Sequence, residues 1–394
     1  MPVDDLWYAS QRDASGQRQA TLRHGRGKRW RVRWIDDQGR HRTQAFARRP
    51  DAERHDALMR AAVHRGDYID PVASKTTIDV YSIQWRGQQL WDPATSELVE
   101  RAFRLHILPM LGRLQVGQVR TSHVKAWVKD RAVALAPTTL RVVYSYLVAM
   151  FGAAVLDRLI GVSPCNRTVK LPDVMRGELL VPTGEQVEAL GRALPVRYGA
   201  QPTLAAATGL RQGEVWGLEL RHVDLQRREV RVEQQVKVTK ERPRPYLAPP
   251  KTTTSHRTVE LAHVGVEALR RHLERFSPDE VEIDDLTNPR RPVRRTARLV
   301  FTNARGEPIR RSGWSHIWTP AVAAADLPKG FGFHGLRHFF ATALIFGGAN
   351  VKTVQLALGH ATPTTTLNTY VGLWPDAVDT TRVLVDAAFG RPAR

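Results

Sequence analysis

The amino-acid sequence predicts a multidomain α+β protein. A small sheet-plus-helix N-terminal domain comes first, then a helical-bundle middle domain, then a mostly helical C-terminal domain with a small antiparallel sheet. Three observations predict this. The chain has 394 residues, enough for two or three domains that each bury a core. Its apolar period changes along the chain, from two near the N-terminus, to that of an α-helix in the middle, to a mixture. Polar connectors at residues 67–74 and 164–182 separate the blocks. A hydrophobic content of 42% with 25% charged residues excludes wholesale disorder.

The elements follow in order. Trp30, Val32 and Trp34 alternate with Arg29, Arg31 and Arg33, which marks a strand with one aromatic, buried face and one arginine face. Asp36-Asp37-Gln38-Gly39 supplies a turn, and Arg42-Thr43-Gln44-Ala45-Phe46 returns as a second strand. Helix formers run from Asp51 to about Val63, so residues 1–66 are expected to form a three-stranded sheet plus a helix. Residues 75–170 read as the bundle. Asp92 caps and Pro93 opens one helix, with Leu98, Val99, Phe103 and Ile107 on its apolar face and Pro109 and Gly112 as its stop. Thr121 is expected to cap the next, with Val124, Trp127 and Val128 inward. Pro137 opens a third, to about Leu159, carrying Val142, Val143, Leu147 and Phe151. Residues 181–394 form the last domain, beginning with a capping box of Thr183 and Gln186. Helices over about 183–194, 198–208 and 212–220 precede strand-like runs at Glu229-Val230-Arg231-Val232 and Thr258-Val259-Glu260-Leu261. Residues 277–297 read as a polar loop, and the pattern is helical again from Gly313.

The chain carries 59 Lys and Arg against 39 Asp and Glu, a net charge of +20. Such a surplus implies a polyanionic partner, with nucleic acid the default. It is concentrated between Arg23 and Arg49, where ten basic residues meet two acidic ones. Arginines on one strand face make an electrostatic footprint that a solvated surface does not need, so Arg29, Arg31, Arg33, Arg40 and Arg42 are the expected DNA contacts of the first domain. In the bundle, Lys125, Lys129, Arg131 and Arg141 lie among the exposed positions and fit a solvated face and a DNA-facing one equally. The single cysteine, Cys165, excludes a disulfide scaffold and a cysteine-based zinc site and fits a reducing, cytoplasmic compartment. The sequon at Asn166 is then coincidental. The apolar stretches read as too short to span a bilayer, and the acidic, polar N-terminus is no secretory signal.

Five short segments of the last domain could carry chemistry. In Ala207-Thr208-Gly209-Leu210-Arg211-Gln212-Gly213-Glu214, two glycines bracket Arg211 where one helix gives way to another, and Glu214 is placed to orient it. Pro249-Pro250-Lys251-Thr252-Thr253-Thr254-Ser255-His256-Arg257 lies between strand-like runs, which puts Lys251 at a hairpin tip. A flexible ammonium there suits proton donation to a leaving oxygen, although alone it reads as a solvated lysine. In Phe333-His334-Gly335-Leu336-Arg337-His338 the two histidines have helical metal-ligand spacing, but Gly335 stands where a zinc protease needs Glu and no cysteine or carboxylate cluster completes a site. Arg337 makes a bidentate phosphate clamp the better reading. Leu356-Ala357-Leu358-Gly359-His360 is a helix ended by glycine with a histidine just past it. Thr364-Thr365-Thr366-Leu367-Asn368-Thr369-Tyr370 places a hydroxyl run before a tyrosine; taken singly, such a tyrosine is usually core. Together, two arginines, a lysine, two histidines and a late tyrosine suit phosphoryl transfer without metal or ATP. The arginines neutralise the phosphorane, the histidines donate hydrogen bonds and handle protons, the lysine protonates the leaving 5′ oxygen, and the tyrosine stores the diester energy as a covalent ester. The chain accordingly lacks a Gly-x4-Gly-Lys-Ser/Thr loop.

The segments ATGLRQGE, PPKTTTSHRTVEL, HGLRH, LALGH and TTTLNTY resemble the signature boxes of the tyrosine recombinase (phage integrase) family. The resemblance implies Arg211 and Arg337 as phosphate-clamping arginines, Lys251 as general acid, His334 and His360 at the two histidine positions, Tyr370 as nucleophile and Glu214 as support for the first arginine. It implies no cofactor and no metal. It further implies an arm-type DNA-binding domain at residues 1–66, a core-site DNA-binding domain at 75–170 and a catalytic domain at 181–394. The expected partners are double-stranded DNA at core and arm-type sites, a homotetramer on that DNA, a host DNA-bending protein and a directionality factor, with no membrane. The expected activity is site-specific recombination through a 3′-phosphotyrosyl intermediate and a Holliday junction, integrating or excising phage or mobile-element DNA. The apolar positions Val378, Val383, Leu384, Val385 and Ala388 then read as a tail helix that docks on a neighbouring subunit or packs on its own domain. The same residues leave two rivals, a type IB topoisomerase-like relaxing enzyme and a non-catalytic sequence-specific DNA-binding protein.

Overall fold

Aromatic alternation at the N-terminus produces a mixed set of small sheets. In the computed structural model, which describes residues 3–14, 16–36, 39–65, 68–70, 72–174 and 179–374, strands β1 (Asp4–Asp5), β4 (Trp30–Ile35) and β5 (His41–Phe46) form one antiparallel sheet in the order β1-β4-β5. Strands β2 (Tyr8–Arg12) and β3 (Arg18–Ala20) pair separately as a hairpin. Helix α1 (Arg49–Arg65) covers the sheet, and Val32, Trp34, Ala52 and Tyr68 close a small core. Tyr68 comes from the expected connector: its hydroxyl accepts a 3.1 Å hydrogen bond from Trp34 Nε1, so the first domain's core extends past residue 66.

The register corrects the reading of the arginines. Arg42 stands directly opposite Trp34, and directly opposed residues share a face, so Arg42 lies on the aromatic side of the sheet rather than with Arg31 and Arg33. All five expected DNA contacts are engaged by carboxylates. Asp5 takes Arg29, Asp4 takes Arg31 and Arg33, and Asp36 takes Arg40 and Arg42, with Asp70 reinforcing both. The acidic residues of the N-terminus thus neutralise the arginine face.

Residues 72–174 form the bundle, built from α2 (Ile78–Gly87), α3 (Pro93–Ala102), α4 (Leu108–Leu111), α5 (Thr121–Ala134) and α6 (Pro137–Leu156). Asp92 caps α3 by accepting from the Thr95 amide. Pro109 does not stop the helix. A π-helical turn over Phe103–Ile107 precedes it and absorbs the missing amide and the ring clash that proline brings to a helix interior. Val99, Phe103 and Ile107 are buried, but Leu98 is 48% exposed. Arg120, not Thr121, is the cap of α5. Helix α6, at 20 residues, is by length and composition long and apolar enough to cross a membrane, against the sequence expectation. Its Leu140, Val143, Leu147, Met150, Phe151 and Ala154 instead fill the bundle core. Lys125 and Lys129 are exposed on α5.

The second unit, residues 177–394, opens with α7 (Gly184–Ala193), capped by the expected box of Thr183 and Gln186. Helices α8 (Ala200–Thr208) and α9 (Gln212–Trp216) follow. Two sheets come next where one antiparallel sheet was expected. The order β10-β7-β6 joins β6 (Val223–Asp224), β7 (Glu229–Val232) and β10 (Arg257–Glu260). The order β12-β11-β9-β8 joins β8 (Gln235–Lys237), β9 (Tyr246–Ala248), β11 (Asp279–Asp285) and β12 (Val293–Leu299), with β9 and β11 parallel. Strands β11 and β12 occupy what reads in sequence as a polar loop. Val281, Ile283, Ala297 and Leu299 point into the core while Glu280 faces Arg298 and Asp284 faces Arg294 outside. Helices α10 (His263–Arg275), α11 (Trp314–Ala324), α12 (His334–Phe346), α13 (Val351–Leu358) and α14 (Pro363–Tyr370) complete the described part. The tail positions from Val378 to Ala388 lie outside the described residues.

Candidate active site

Two helix ends build the site. Helices α8 and α13 both stop at a left-handed glycine, Gly209 and Gly359, each with φ +66°. Only glycine adopts this turn at no steric cost, and a Cβ at Gly209 would also sit 2.5 Å from Phe340. The two turns expose helix-terminal carbonyls, the negative ends of the helix dipoles. The Arg337 guanidinium bridges them: Nη1 donates to Gly209 O at 2.7 Å and Nη2 to Leu358 O at 2.6 Å. Arg337 is 1% exposed, and its Nε is a buried donor with no protein partner. Burial first, then Arg211 and Arg257, push its pKa down, as expected of a cation held where positive charge is in excess.

Arg211 caps α9. Its amide and Nη1 donate to the two carboxylate oxygens of Glu214, at 3.0 and 2.7 Å. Glu214 is 2% exposed and also accepts from Arg257 Nη2 at 3.0 Å. Burial pulls its pKa up, but Arg257 and Arg211 outweigh that and hold it below the usual carboxylate range. Arg257 was not singled out from the sequence, yet it ties the site together, since its Nε donates to Ala357 O at the end of α13. Ser255 adds a second tie. Its hydroxyl receives Arg211 Nη1 at 3.4 Å, donates to Gly359 O at 3.3 Å and meets Thr252 Oγ1 at 2.8 Å.

The histidines are kept neutral. His360 Nδ1 is 2.8 Å from the hydroxyl of buried Thr366. Burial, followed by Arg337, Arg211 and His334, pushes its pKa down to about 4. His334 opens α12 with an exposed edge, and desolvation in the cleft with Arg337 and Arg211 nearby pushes it down as well. Tyr370, the last residue of α14, is 1% exposed among Ala341, Ile345, Val354 and Leu358. Burial raises its phenol to about 12, with Arg337 opposing. Its hydroxyl lies 2.8 Å from His338 Nδ1. His338, pushed down to about 4 by burial, His334 and Arg337, is a site residue that the sequence reading weighed only as a metal ligand with His334 and gave no catalytic role. Its place four residues, one helical turn, after His334 was the available signal.

Arg211, His334, Arg337, His360 and Tyr370 therefore converge, each within electrostatic reach of Arg337 or its neighbours. Lys251 does not join their hydrogen-bond network. Strand β9 before it pairs with β8 and β11, whereas β10 after it pairs with β7. Lys251 thus sits exposed on a connector between two sheets, not at a hairpin tip. No cluster of three or more His, Cys, Asp or Glu suited to a metal occurs among the described residues. Chemically this is a desolvated, cation-rich pocket with a protected phenol beside it, able to hold an anionic diester and offer it a nucleophile.

A site and fold of this kind define a DNA strand transferase. Residues 183–374 match the phage integrase family. The chain is 25% identical to the integrase of Mycobacterium phage D29 over 361 residues, 87% of this chain and 89% of that one. It is 33% identical to the tyrosine recombinase XerD of Mycobacterium tuberculosis (strain ATCC 25618 / H37Rv) over 173 residues, 44% and 47% of the two chains. In fold it resembles the Tn1549 transposon integrase in complex with transposon right end DNA, with TM-score 0.67, 23% identity, and coverage of 79% of this chain and 99% of that one. It also resembles a lambda integrase tetramer bound to a Holliday junction, with TM-score 0.55, 16% identity and coverage of 87% and 92%. Residues 183–374 thus form a domain of the phage integrase (tyrosine recombinase) family, and the chain is a site-specific DNA recombinase.

Proposed function

We propose that the protein integrates, and in reverse excises, phage or mobile-element DNA through a covalent 3′-phosphotyrosyl intermediate. The observation that carries this reading is the Arg337 side chain, fully buried with its Nε unpartnered, beside Arg211, which a buried carboxylate fixes. A buried charge-bearing donor without an acceptor is costly, and a scissile phosphate supplies the acceptor. The two arginines clamp the non-bridging oxygens, and His334 and His360 add hydrogen bonds that strengthen as the phosphorane forms. The Tyr370 oxygen attacks phosphorus while its proton passes to His338 Nδ1. The bond from phosphorus to the 5′ oxygen breaks, and Lys251 protonates that oxygen. The released 5′ hydroxyl then attacks the partner strand's phosphotyrosine and regenerates the phenol. The reading makes residues 181–394 the catalytic domain, residues 75–170 a core-site domain that uses Lys125 and Lys129, and residues 1–66 an arm-type domain. It includes a homotetramer that passes through a Holliday junction, by analogy with the lambda integrase tetramer, together with a host DNA-bending protein and a directionality factor.

The test is a suicide substrate carrying the attachment core, nicked next to the scissile phosphate. Wild-type protein is expected to give a covalent adduct on a denaturing gel, and Tyr370→Phe none. Adducts of equal yield on unrelated duplexes would point to a topoisomerase-like relaxing enzyme instead.

A further inference from the structure

We propose that the loop between β3 and β4, residues 21–29, is a minor-groove probe for duplex DNA, with Arg26 entering the groove and Arg23 and Lys28 taking phosphates on either side. The proposal rests on the reading of the first domain as DNA-binding and changes which residues do the binding. The strand arginines expected to meet DNA are already occupied by Asp4, Asp5, Asp36 and Asp70. Arg23, Arg26 and Lys28 are exposed and have no carboxylate partner among the described residues.

Their loop is not a slack one. Thr21 Oγ1 donates to Leu6 O at 2.6 Å, Trp7 Nε1 to Arg26 O at 3.3 Å and the Leu6 amide to Arg29 O at 2.7 Å. Two successive turns, Thr21 O to the His24 amide and Arg23 O to the Arg26 amide, both 2.9 Å, set its path. His24 anchors it from within, 2.9 Å from the Tyr8 hydroxyl and packed edge-on against that ring. The cations are thus pre-placed, which cuts the ordering entropy of binding. Gly25 and Gly27 have φ of +73° and +68°, and a Cβ on either would meet nothing within 4 Å. Neighbouring bulk does not require these glycines. They let the chain take two left-handed steps and leave Arg26 as one guanidinium on a thin backbone. B-DNA's minor groove is about 6 Å wide, and A·T tracts narrow it further and deepen its negative potential, which attracts inserted arginine. Leu22 is fully exposed at the start of the loop, an apolar residue of the type that wedges at minor-groove steps.

Fluorescence anisotropy of the full chain on A·T-rich and G·C-only duplexes of about 25 base pairs tests this over a salt series. Wild-type protein is expected to prefer the A·T duplex by about tenfold and to lose that preference to netropsin, a minor-groove ligand. Arg26→Ala should abolish the preference. Joint Arg23→Gln and Lys28→Gln should keep it and lower the slope of log K against log salt by about two. Joint Gly25→Val and Gly27→Val keeps every charge and should still lose the preference, which a merely solvated basic patch would not. The melting temperatures of Arg26→Ala and of the joint Arg23→Gln and Lys28→Gln variant are expected to match wild type, so that their loss of binding reports contact rather than unfolding; the valine pair, strained at both left-handed steps, is expected to melt lower and is assayed where its circular dichroism still matches wild type. An unchanged preference in Arg26→Ala overturns the proposal, as does equal displacement by single-stranded RNA. Crosslinking from azidophenacyl groups on backbone phosphorothioates, which reach side chains over either groove, separates the two levels of the claim. Crosslinks within residues 1–65 that spare 21–29 sink the loop alone, whereas none anywhere in 1–65 removes the DNA-binding reading of the domain too.

Discussion

The N-terminal sheet and the catalytic pocket are both rich in arginine, and they use it in opposite ways. In the sheet, four carboxylates from Asp4, Asp5, Asp36 and Asp70 serve five guanidinium groups, most of them partly exposed. In the pocket, Glu214 alone takes both Arg211 and Arg257, and Arg337 is left to two helix-end carbonyls. The first arrangement consumes its charge; the second stores an excess of it out of water. Counting arginines along a sequence therefore measures charge present, not charge available to a ligand. Neutralised strand arginines hold a sheet together, whereas under-compensated buried ones make a phosphate site.

That contrast can be broken or sharpened by experiment, beginning with the largest effect. Tyr370→Phe is expected to remove covalent adducts altogether while DNA binding by gel shift stays near wild type. Arg337→Ala should lower the cleavage rate ~10²–10³-fold, as loss of one transition-state donor does, and Arg337→Lys should recover little of it because an ammonium cannot span both carbonyls. Glu214→Gln leaves two guanidinium groups facing each other with no counter-charge. Breaking a buried pair of this kind costs about 3 kcal/mol, read as a lower denaturant midpoint, and the same variant should cleave slowly. The histidines set a pH window. His338 and His360, each at about 4 in the folded protein against an ordinary value near 6.5, take up protons more readily when unfolded. Stability should be full above about pH 6.5 and fall as pH drops from there towards 4, and histidine NMR titrations of the DNA-free protein should show both midpoints well below the ordinary value. Arg33→Gln should be the mildest, since its side chain is 53% exposed and shares Asp4 with Arg31. Arg42→Gln, which strips a partner from the fully buried Asp36 side chain, is expected to lower the melting temperature more. A large loss of DNA affinity in Arg33→Gln, with no change in melting, would erase the distinction between the two regions.

Much of this molecule was legible in its sequence, and the gaps have physical causes. The Thr183 cap with Gln186, the Trp30–Trp34 alternation and the convergence of Arg211, His334, Arg337, His360 and Tyr370 all follow from local pattern or motif. Strands β11 and β12 were hidden because cross-strand acid–arginine pairs on the outer face make the segment read as polar. The face of Arg42 depends on register across a turn that local alternation does not fix. The roles of Arg257 and Ser255 depend on contacts about a hundred residues away in the chain, which no local window contains. The membrane-length apolarity of α6 is a bundle core seen in one dimension.

The connector that carries Lys251 has one more implication. Thr252, the next residue, is moored through Ser255 to both Arg211 and Gly359, so the lysine is a long arm on a fixed hinge pin rather than the tip of a drifting loop. In the proposed mechanism five members of the constellation are already gathered, and Lys251 reaches the leaving oxygen by a swing of its own side chain about that anchored backbone.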